Sequence, residues 1–283
     1  MTIGVFDSGV GGLTVHRALV HAFPQFDFIY FADQANAPYG NRSGEEIVEL
    51  TRAGCARLFD AGADLILLAC NTAGAVALRR LQQSWLPSHR RNLDRAVNIL
   101  GLIVPTIEAA TGQPWTSLPE PRGEMVEVVD VIAVFSTPAT ARSRVYEIEV
   151  DKRRADVAVF SEPCSALARM IEGGSSAEEL KAVVGGHVSK LIARIGRPPT
   201  KAILGCTHYE IVADLFRDAL PTGTELIHQP SAVAESLRHY VARHPEYPPG
   251  NGGLRQFLTT GAPGEQNDLI KAFWRGPLRF ERA

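Results

Sequence analysis

The chain has 283 residues, a formal net charge of -2 and 45% apolar residues. This length can bury a substantial core, either in one large α/β unit or in two lobes of ordinary size. The nearly balanced charge gives no electrostatic basis for nucleic-acid binding, and no apolar run reaches the roughly 20 residues of a membrane-spanning helix. The start, MTIGVFDSG, lacks the features of a secretory signal. We therefore expect a cytoplasmic protein with no nucleic-acid or membrane partner.

The predicted elements alternate short aliphatic strands with longer helices. The first half contains the strand-like runs TIGVF, DFIYFAD and DLILLAC, separated by the helix-like runs GLTVHRALVHAF and EEIVELTRAGCARLFDAG. A second series contains ILGLIV, VEVVDVIAVFS, ADVAVFS, a helix near 176–195, and KAILGC. This alternation is typical of βαβ units. We predict an α/β fold with two similar lobes, each a mostly parallel sheet flanked by helices.

The two halves share one local pattern. DLILLACNTA and TKAILGCTHY both run an apolar strand into a cysteine, Cys70 or Cys206, followed by polar groups. Because ligands of open parallel sheets bind beyond the carboxyl ends of the strands, both thiols should face one crevice. We predict a pseudo-two-fold relation with the active site between the lobes. Residues 1–102 and 222–283 are assigned to the first lobe and residues 103–221 to the second.

The cysteines are Cys55, Cys70, Cys164 and Cys206, widely spaced and without a C-x-x-C pair. A cytosolic setting keeps thiols reduced, so we expect no disulfide. Cys206 and His208 are close in sequence, but no second close pair of ligands stands out, so we expect no metal. Cys55 lies within a helical pattern and is interpreted as a packing residue.

Two loops near the start are candidates for ligand contact. VFDSGVGGLTV places Asp7 and Ser8 at a strand end before a Gly-rich turn, whose backbone N–H groups could bind an anion. The turn lacks a Walker lysine and a G-x-G-x-x-G pattern, which disfavours a nucleotide; a plain turn capped by Asp7 is the alternative. A later strand ends at Asp33 and bends through APYGN, where Tyr39 could close over a ligand or lie in a surface turn.

A thiol at a strand end near a helix N-terminus is favoured as a thiolate, which makes it a usable base or nucleophile. Asn71 and Thr72 could cap a helix. Capping does not explain why a cysteine precedes a polar pair twice. The alternative is that Cys206 is a small buried hydrophobe at the end of its strand. His208 could orient or protonate groups beside it.

These motifs together resemble those of the glutamate racemase family, within the aspartate/glutamate racemase superfamily. The matching segments are VFDSGVGGLTV, YFADQANAPYG, ACNTA, FSTPATARSRVY, RMIEGG, LGCTHYE and TTGAP. The resemblance implies interconversion of L- and D-glutamate by two cysteines, without pyridoxal phosphate, metal or another cofactor. It further implies a small-molecule substrate, glutamate, and supply of D-glutamate for peptidoglycan in a bacterium. A homodimer is left open as the assembly.

The resemblance also implies roles for single residues. Cys70 would deprotonate D-glutamate and Cys206 would deprotonate L-glutamate, with Asp7 and His208 assisting their neighbouring thiols. The residues implied to hold the substrate are Asp7, Ser8, Pro38, Tyr39, Gly40, Asn71, Thr72, Thr137, Thr140, Thr207 and His208.

Two further acids, Asp33 and Glu172, match acidic positions of that family's site and would assist. The chain departs from the family pattern at SEPCSALARMIEGG, and the stretches 85–98 and 111–125 look longer than typical. We expect these two stretches to form polar loops or short surface helices without a chemical role. The departures leave open a sibling racemase or isomerase that acts on aspartate or another small acid, and a catalytically inactive ligand-binding relative.

Overall fold

The computed structural model describes residues 1–114, 116, 127–250, 252–263, 270–271, 273–274 and 278–283. Most of the stretch 111–125, expected as a polar loop or a short surface helix, lies outside these described residues. The strands are β1 (Thr2–Asp7), β2 (Asp27–Ala32), β3 (Leu65–Leu68), β4 (Asn98–Gly101), β5 (Asp130–Ser136), β6 (Val157–Pro163), β7 (Lys201–Gly205), β8 (Glu225–Ile227), β9 (Arg255–Thr259) and β10 (Glu281–Arg282).

The strands form two sheets in which each described pairing is parallel. The first sheet has the order β10-β9-β2-β1-β3-β4 and the second has the order β6-β5-β7-β8. The segments β2-β1-β3-β4 and β6-β5-β7-β8 therefore repeat one topology, in which the first strand of each set lies between the second and the third. The predicted α/β fold with two parallel sheets is confirmed.

The helices lie between these strands in chain order. They are α1 (Leu13–Ala22), α2 (Gly44–Asp60), α3 (Asn71–Val76), α4 (Leu78–Arg80), α5 (Leu86–Arg90), α6 (Ile103–Thr111), α7 (Pro138–Ser143), α8 (Val145–Asp151), α9 (Leu167–Glu172), α10 (Ala177–Ile195), α11 (Ala213–Ala219) and α12 (Gln229–Arg243). Short 3-10 helices span Gln34–Asn36, Tyr39–Asn41 and Thr207–Val212, and a π-helical turn spans Leu81–Trp85.

Local sequence signals explain where the two longest helices begin and end. Helix α2 starts with a capping box of Ser43 and Glu46, and α10 starts with one of Ser176 and Glu179. In each box the serine side chain and the glutamate side chain satisfy backbone N–H groups that the first helical turn leaves free. Helix α10 ends at Ile195 and is followed by its C-cap Gly196, whose φ of 75° lies in the left-handed region that glycine adopts readily. The helix predicted near 176–195 is thus confirmed.

Two sequence expectations need adjustment. The run ILGLIV is not one strand, because β4 ends at Gly101 and α6 begins at Ile103. The stretch 85–98, expected as a polar loop or short surface helices, contains the short helix α5 and the first residue of β4, but it does not lie wholly on the surface because Leu86 and Val97 are buried. Their apolar side chains pack into the core beneath the polar residues of the same stretch.

The second sheet includes a strand from the range 222–283, which the sequence analysis assigned to the first lobe. Strand β8 lies within 222–283, the range assigned to the first lobe, and yet it pairs in parallel with β7 of the second sheet. We therefore propose that the second lobe reaches Ile227. Helix α12, which follows, packs against both α1 and α6. Both of these helices follow strands of the first sheet. Helix α12 therefore returns the chain from the second sheet to the first.

Candidate active site

The candidate site lies at the carboxyl ends of the central strands of both sheets. In the first sheet, β1 and β3 are neighbours, and the chain continues from them into Asp7 and Cys70. In the second sheet, β5 and β7 are neighbours, and the chain continues into Thr137 and Cys206. Each pair of strands is a point where the strand order reverses, which is where open α/β sheets bind ligands. Both thiols line one cavity.

The structure brings most of the sequence-predicted residues to this cavity. Those that line it are Asp7, Ser8, Pro38, Tyr39, Gly40, Cys70, Asn71, Thr72, Thr137, Glu172, Cys206, Thr207 and His208. Asp33 and Thr140 are buried behind the lining and contact residues that form it.

Cys70 is the N-cap of α3 and is 6% exposed. Its Sγ lies 3.2 Å from the hydroxyl of Ser8 and accepts a hydrogen bond from the backbone N–H of Ala73 at 3.5 Å. Burial and the nearby charge of Asp7 raise the pKa of the thiol to about 12, against the opposing effect of these two hydrogen bonds. Cys70 therefore carries its proton at neutral pH.

Asp7 explains the glycines that follow it. Its Oδ2 accepts hydrogen bonds from the backbone N–H groups of Gly9, at 3.2 Å, and Gly12, at 3.0 Å. A Cβ on Gly12 would lie 2.8 Å from the Cβ of Asp7, so the turn needs glycine there. Burial raises the pKa of Asp7 despite these bonds and the charge of His208. The turn thus binds the chain's own carboxylate at these two amides, which matches the capping alternative rather than an open anion site.

A hydrogen-bonded chain of three side chains lies on the other side of the cavity. The Sγ of Cys206 is 3.7 Å from Nδ1 of His208, and Nε2 of His208 is 2.7 Å from Oε1 of Glu172. Burial alone would lower the pKa of His208, but its hydrogen bonds and charge interactions with Cys206 and Glu172 outweigh burial, and the pKa lies well above its ordinary value. The imidazole is therefore protonated at neutral pH, and a cation beside a sulfur stabilises the thiolate.

Three threonine hydroxyls join the two lobes at the cavity wall. Thr72 Oγ1 lies 2.9 Å from Thr137 Oγ1 and 3.4 Å from Thr140 Oγ1, and the last two oxygens are 3.1 Å apart. Thr137 is also the N-cap of α7. Each hydroxyl can rotate to donate or to accept a hydrogen bond, so the cluster can offer a donor or an acceptor to a bound polar group.

The side chain of Asn71 is held by residues that sequence reasoning missed. It exchanges two hydrogen bonds with the side-chain amide of Gln229, at 2.8 and 3.1 Å, and its oxygen accepts from the hydroxyl of Tyr146 at 2.7 Å. Gln229 also donates to Thr106. This buried polar network, defined as Asn71, Thr106, Tyr146 and Gln229, ties the start of α3 to α6, α8 and α12. No local sequence motif predicts this network, because the four residues come from distant parts of the chain.

Asp33 acts on the cavity through a neighbour. Its Oδ2 accepts a hydrogen bond of 2.6 Å from the hydroxyl of Tyr39, and its Oδ1 accepts one of 2.8 Å from Thr260. Asn36 donates to both carboxylate oxygens. Asp33 thus positions the Tyr39 loop, which itself lines the cavity.

Four lining residues were not predicted from the sequence: Gly9, Ala37, Ala168 and Arg169. A signal for Arg169 existed, because it precedes Glu172 by three residues on one helix and such residues share a face. Among the described residues, no group of three His, Cys, Asp or Glu side chains is placed to hold a metal ion. No helix in the described part of the chain is long and apolar enough to cross a membrane.

Comparisons with known proteins agree with the fold and with the motifs. No protein-family model matches the chain. A glutamate racemase of Phenylobacterium zucineum is 70% identical over 283 residues, and one of Paracoccus denitrificans is 43% identical over 283 residues, each match covering both proteins in full. The crystal structure of glutamate racemase from Francisella tularensis in complex with D-glutamate has a TM-score of 0.80 at 25% identity and covers 100% of this chain and 97% of that chain. The family resemblance read from the motifs is thereby confirmed, and the chain belongs to the glutamate racemase family.

Proposed function

We propose that this chain interconverts L- and D-glutamate by proton transfer between the α-carbon and two cysteines, without a cofactor. The observation that carries the proposal is the pair Cys70 and Cys206, which follow equivalent strands of the two sheets and line one cavity. The relatives named glutamate racemase, at 70% and 43% identity, support glutamate as the substrate. Inversion of a carbon centre requires a proton to leave one face and another to arrive on the opposite face, which two fixed groups can do.

The surroundings of the two thiols suit this chemistry. A two-base reaction needs one thiolate and one thiol at the start of each turnover. Cys70, with its raised pKa, supplies the thiol, and Cys206, whose Sγ lies 3.7 Å from Nδ1 of His208, is proposed as the base that receives the first proton from L-glutamate.

The reaction of L-glutamate proceeds in two balanced proton transfers. The Cys206 thiolate takes the α-hydrogen as a proton and becomes a thiol, and the bonding electron pair stays on the substrate as a carbanion. The Cys70 thiol gives its proton to the opposite face and becomes a thiolate, and D-glutamate results. The reverse reaction exchanges the two roles. Fixed donors in a site with little water stabilise the charge that develops on the substrate carboxylate.

Further roles belong to the same proposal. His208 holds a positive charge beside Cys206, Glu172 keeps the imidazole protonated and oriented, and Asp7 assists Cys70 at the other face. Asp33 acts indirectly, by holding Tyr39 over the cavity. The residues proposed to hold the substrate's ammonium and carboxylate groups are Asp7, Ser8, Pro38, Tyr39, Gly40, Asn71, Thr72, Thr137, Thr140, Thr207 and His208.

The biological setting is also a proposal. We place the activity in the cytoplasm, where D-glutamate would supply peptidoglycan synthesis, because the bacterial relatives carry the same enzyme name. A homodimer is the assembly to test, by sedimentation velocity of the purified protein. The division into two lobes can be tested by limited proteolysis between them.

The proposed activity is tested by following optical rotation or circular dichroism of purified protein with each hand of glutamate and of aspartate. We expect both hands of glutamate to converge on a racemic mixture, and dialysis against a chelator to leave the rate unchanged. Cys70→Ala and Cys206→Ala should each stop racemisation, because each removes one of the two proton carriers.

The matched controls are Cys55→Ala and Cys164→Ala. Both thiols are buried and neither lines the cavity, so both variants should retain substantial activity. Convergence with aspartate but not with glutamate would replace the proposed substrate. Absence of any change with either amino acid would reject the proposed racemase activity.

A further inference from the structure

Helix α9 presents three residues to the cavity: Ala168, Arg169 and Glu172. Among the residues that the structure describes as lining this cavity, Arg169 is the sole lysine or arginine. Its backbone position, three residues before Glu172, places both side chains on the same face of one helix. Arg169 therefore borders the cavity that both thiols line.

The other charged side chains that line this cavity already have hydrogen-bond partners within the protein. Glu172 is bonded to His208 at 2.7 Å, and Asp7 accepts the amides of the Gly-rich turn. No hydrogen bond or ion pair joins the guanidinium of Arg169 to any residue in the described part of the chain. Arg169 is also exposed, so its side chain is free to move towards an entering molecule.

The proposed substrate is a dicarboxylate whose net charge is negative. Two carboxyl groups, that of buried Asp7 and that of half-buried Glu172, border the site that it must enter. The hydroxyl groups of the lining can donate single hydrogen bonds but carry no charge. A guanidinium offers two parallel N–H groups that match the geometry of a carboxylate and stays protonated at all relevant pH values.

We infer that Arg169 is a specificity-determining residue that binds a carboxylate of the substrate at the border of the cavity and selects for dicarboxylic acids. This inference deepens the proposed glutamate racemase function and rests on it for the identity of the substrate. Recognition by an exposed arginine should act mainly on binding, because the guanidinium is not one of the groups proposed to move the proton. It should also be sensitive to salt, since exposed charges are screened over about 8 Å at physiological ionic strength.

The first test is kinetic and compares Arg169→Gln with Arg142→Gln. Arg142 is a suitable control because it is exposed, lies on α7 beside the site and does not line the cavity. We expect Arg169→Gln to raise KM for glutamate about three- to tenfold with kcat within about twofold, whereas Arg142→Gln leaves both unchanged. Arg169→Lys should recover part of the loss, and added salt should weaken kcat/KM of the unmodified protein more than that of Arg169→Gln.

The second test measures binding without turnover. Glutarate, a five-carbon dicarboxylate without an amino group, should slow alkylation of Cys206, and a higher glutarate concentration should be needed in Arg169→Gln than in Arg142→Gln. If the unmodified protein fails to racemise glutamate but this difference in protection is found, the proposed function fails and the role of Arg169 stands. Equal KM and equal glutarate protection in the two variants would overturn the inference, as would a loss confined to kcat.

Discussion

Cys70 and Cys206 are nearly equal in exposure, at 6% and 7%, but they differ in their charged neighbours. Cys70 feels the carboxylate of Asp7, whereas Cys206 lies beside a protonated imidazole. Since access is the same, reactivity should follow the charge state of the sulfur, because the thiolate is the nucleophile. The two thiols of one cavity are therefore chemically distinct before substrate arrives.

This difference predicts the order of chemical modification. Iodoacetamide at pH 7.5 should alkylate Cys206 before Cys70, because burial and Asp7 raise the pKa of Cys70 to about 12. Peptide mapping by mass spectrometry over time measures both rates, and the fully buried Cys55 serves as the unreactive reference. Replacement of His208 by Asn should slow labelling of Cys206 alone. Labelling of Cys70 as fast as that of Cys206 would refute the predicted difference in reactivity between the two thiols.

His16 is a second residue whose surroundings determine its charge. It is fully buried, both ring nitrogens lack a hydrogen-bond partner among the described residues, and its ring stacks on Trp274 at 5.3 Å. Burial and the charge of Arg255 lower its pKa to about 3. When the pH falls below 6.5, the ordinary pKa of histidine, His16 binds a proton in the unfolded chain but stays neutral in the folded chain. Stability is therefore complete above pH 6.5 and is lost as the pH falls towards 3.

The resulting prediction concerns the stability of His16→Leu. Between pH 7 and pH 5 the unmodified protein should lose about 2 kcal/mol of unfolding free energy through this one group. His16→Leu should lack that part of the decline, measured by urea denaturation at both pH values. His21→Leu, an exposed position on the same helix, is the control and should decline like the unmodified protein. Parallel declines in all three proteins would show that His16 does not resist protonation.

At the scale of elements, the polar network of Asn71, Thr106, Tyr146 and Gln229 connects four helices behind the cavity. Helix α3 is only six residues long and begins directly after Cys70. A helix this short has little stability of its own, so tertiary contacts must hold its first residue. The network supplies those contacts and thereby positions the sulfur that caps the helix.

Gln229→Leu tests this network. The change leaves the side-chain N–H group of Asn71 without its acceptor in a buried site and removes the amide that donates to Thr106, which should cost about 1 to 3 kcal/mol of unfolding free energy. It should also lower kcat more than it raises KM, because Cys70 is displaced while the outer part of the cavity is retained. Gln83→Leu, at an exposed glutamine, is the control. A stability equal to that of Gln83→Leu would contradict the positioning role.

At the scale of the whole molecule, the two parallel sheets share one strand order and present one thiol each to a single cavity. Under the proposed mechanism, this arrangement gives each face of the substrate's α-carbon its own base. A single cysteine on one sheet could exchange a proton only on its own face. The duplication of the strand order thus provides what inversion requires.

Isotope flow tests the two-base arrangement directly. In heavy water, the product should carry deuterium at the α-carbon, because the returning proton comes from the thiol opposite the one that removed hydrogen. Recovered substrate should stay mostly unlabelled early in the reaction, and the pattern should be the same from either hand of glutamate. Proton NMR at low conversion measures both. Equal labelling of substrate and product would indicate one exchanging base instead.

The sequence by itself determined the elements and the motifs. Alternation of aliphatic runs and amphipathic helices is a local property, so the α/β class and helix α10 followed from it, and the cysteines at two strand ends indicated one shared crevice. Polar residues next to those cysteines were found for the same reason. The sequence did not indicate that a strand beyond residue 222 belongs to the second sheet. Strand β8 has only three residues, and it pairs with β7 through backbone hydrogen bonds, which leave no side-chain pattern in the sequence.

Tertiary structure alone decided which side chains meet. The contact of Gln229 with Asn71 joins residues 158 positions apart, and Glu172 reaches His208 across 36 positions. The placement of Asp33 behind Tyr39, the different charged neighbours of the two thiols and the position of Arg169 at the cavity depend on burial and on contacts brought together by folding. Such long-range contacts and the solvation of each group arise only once the sheets have packed, and they set the chemistry of a site whose residues the sequence had largely named.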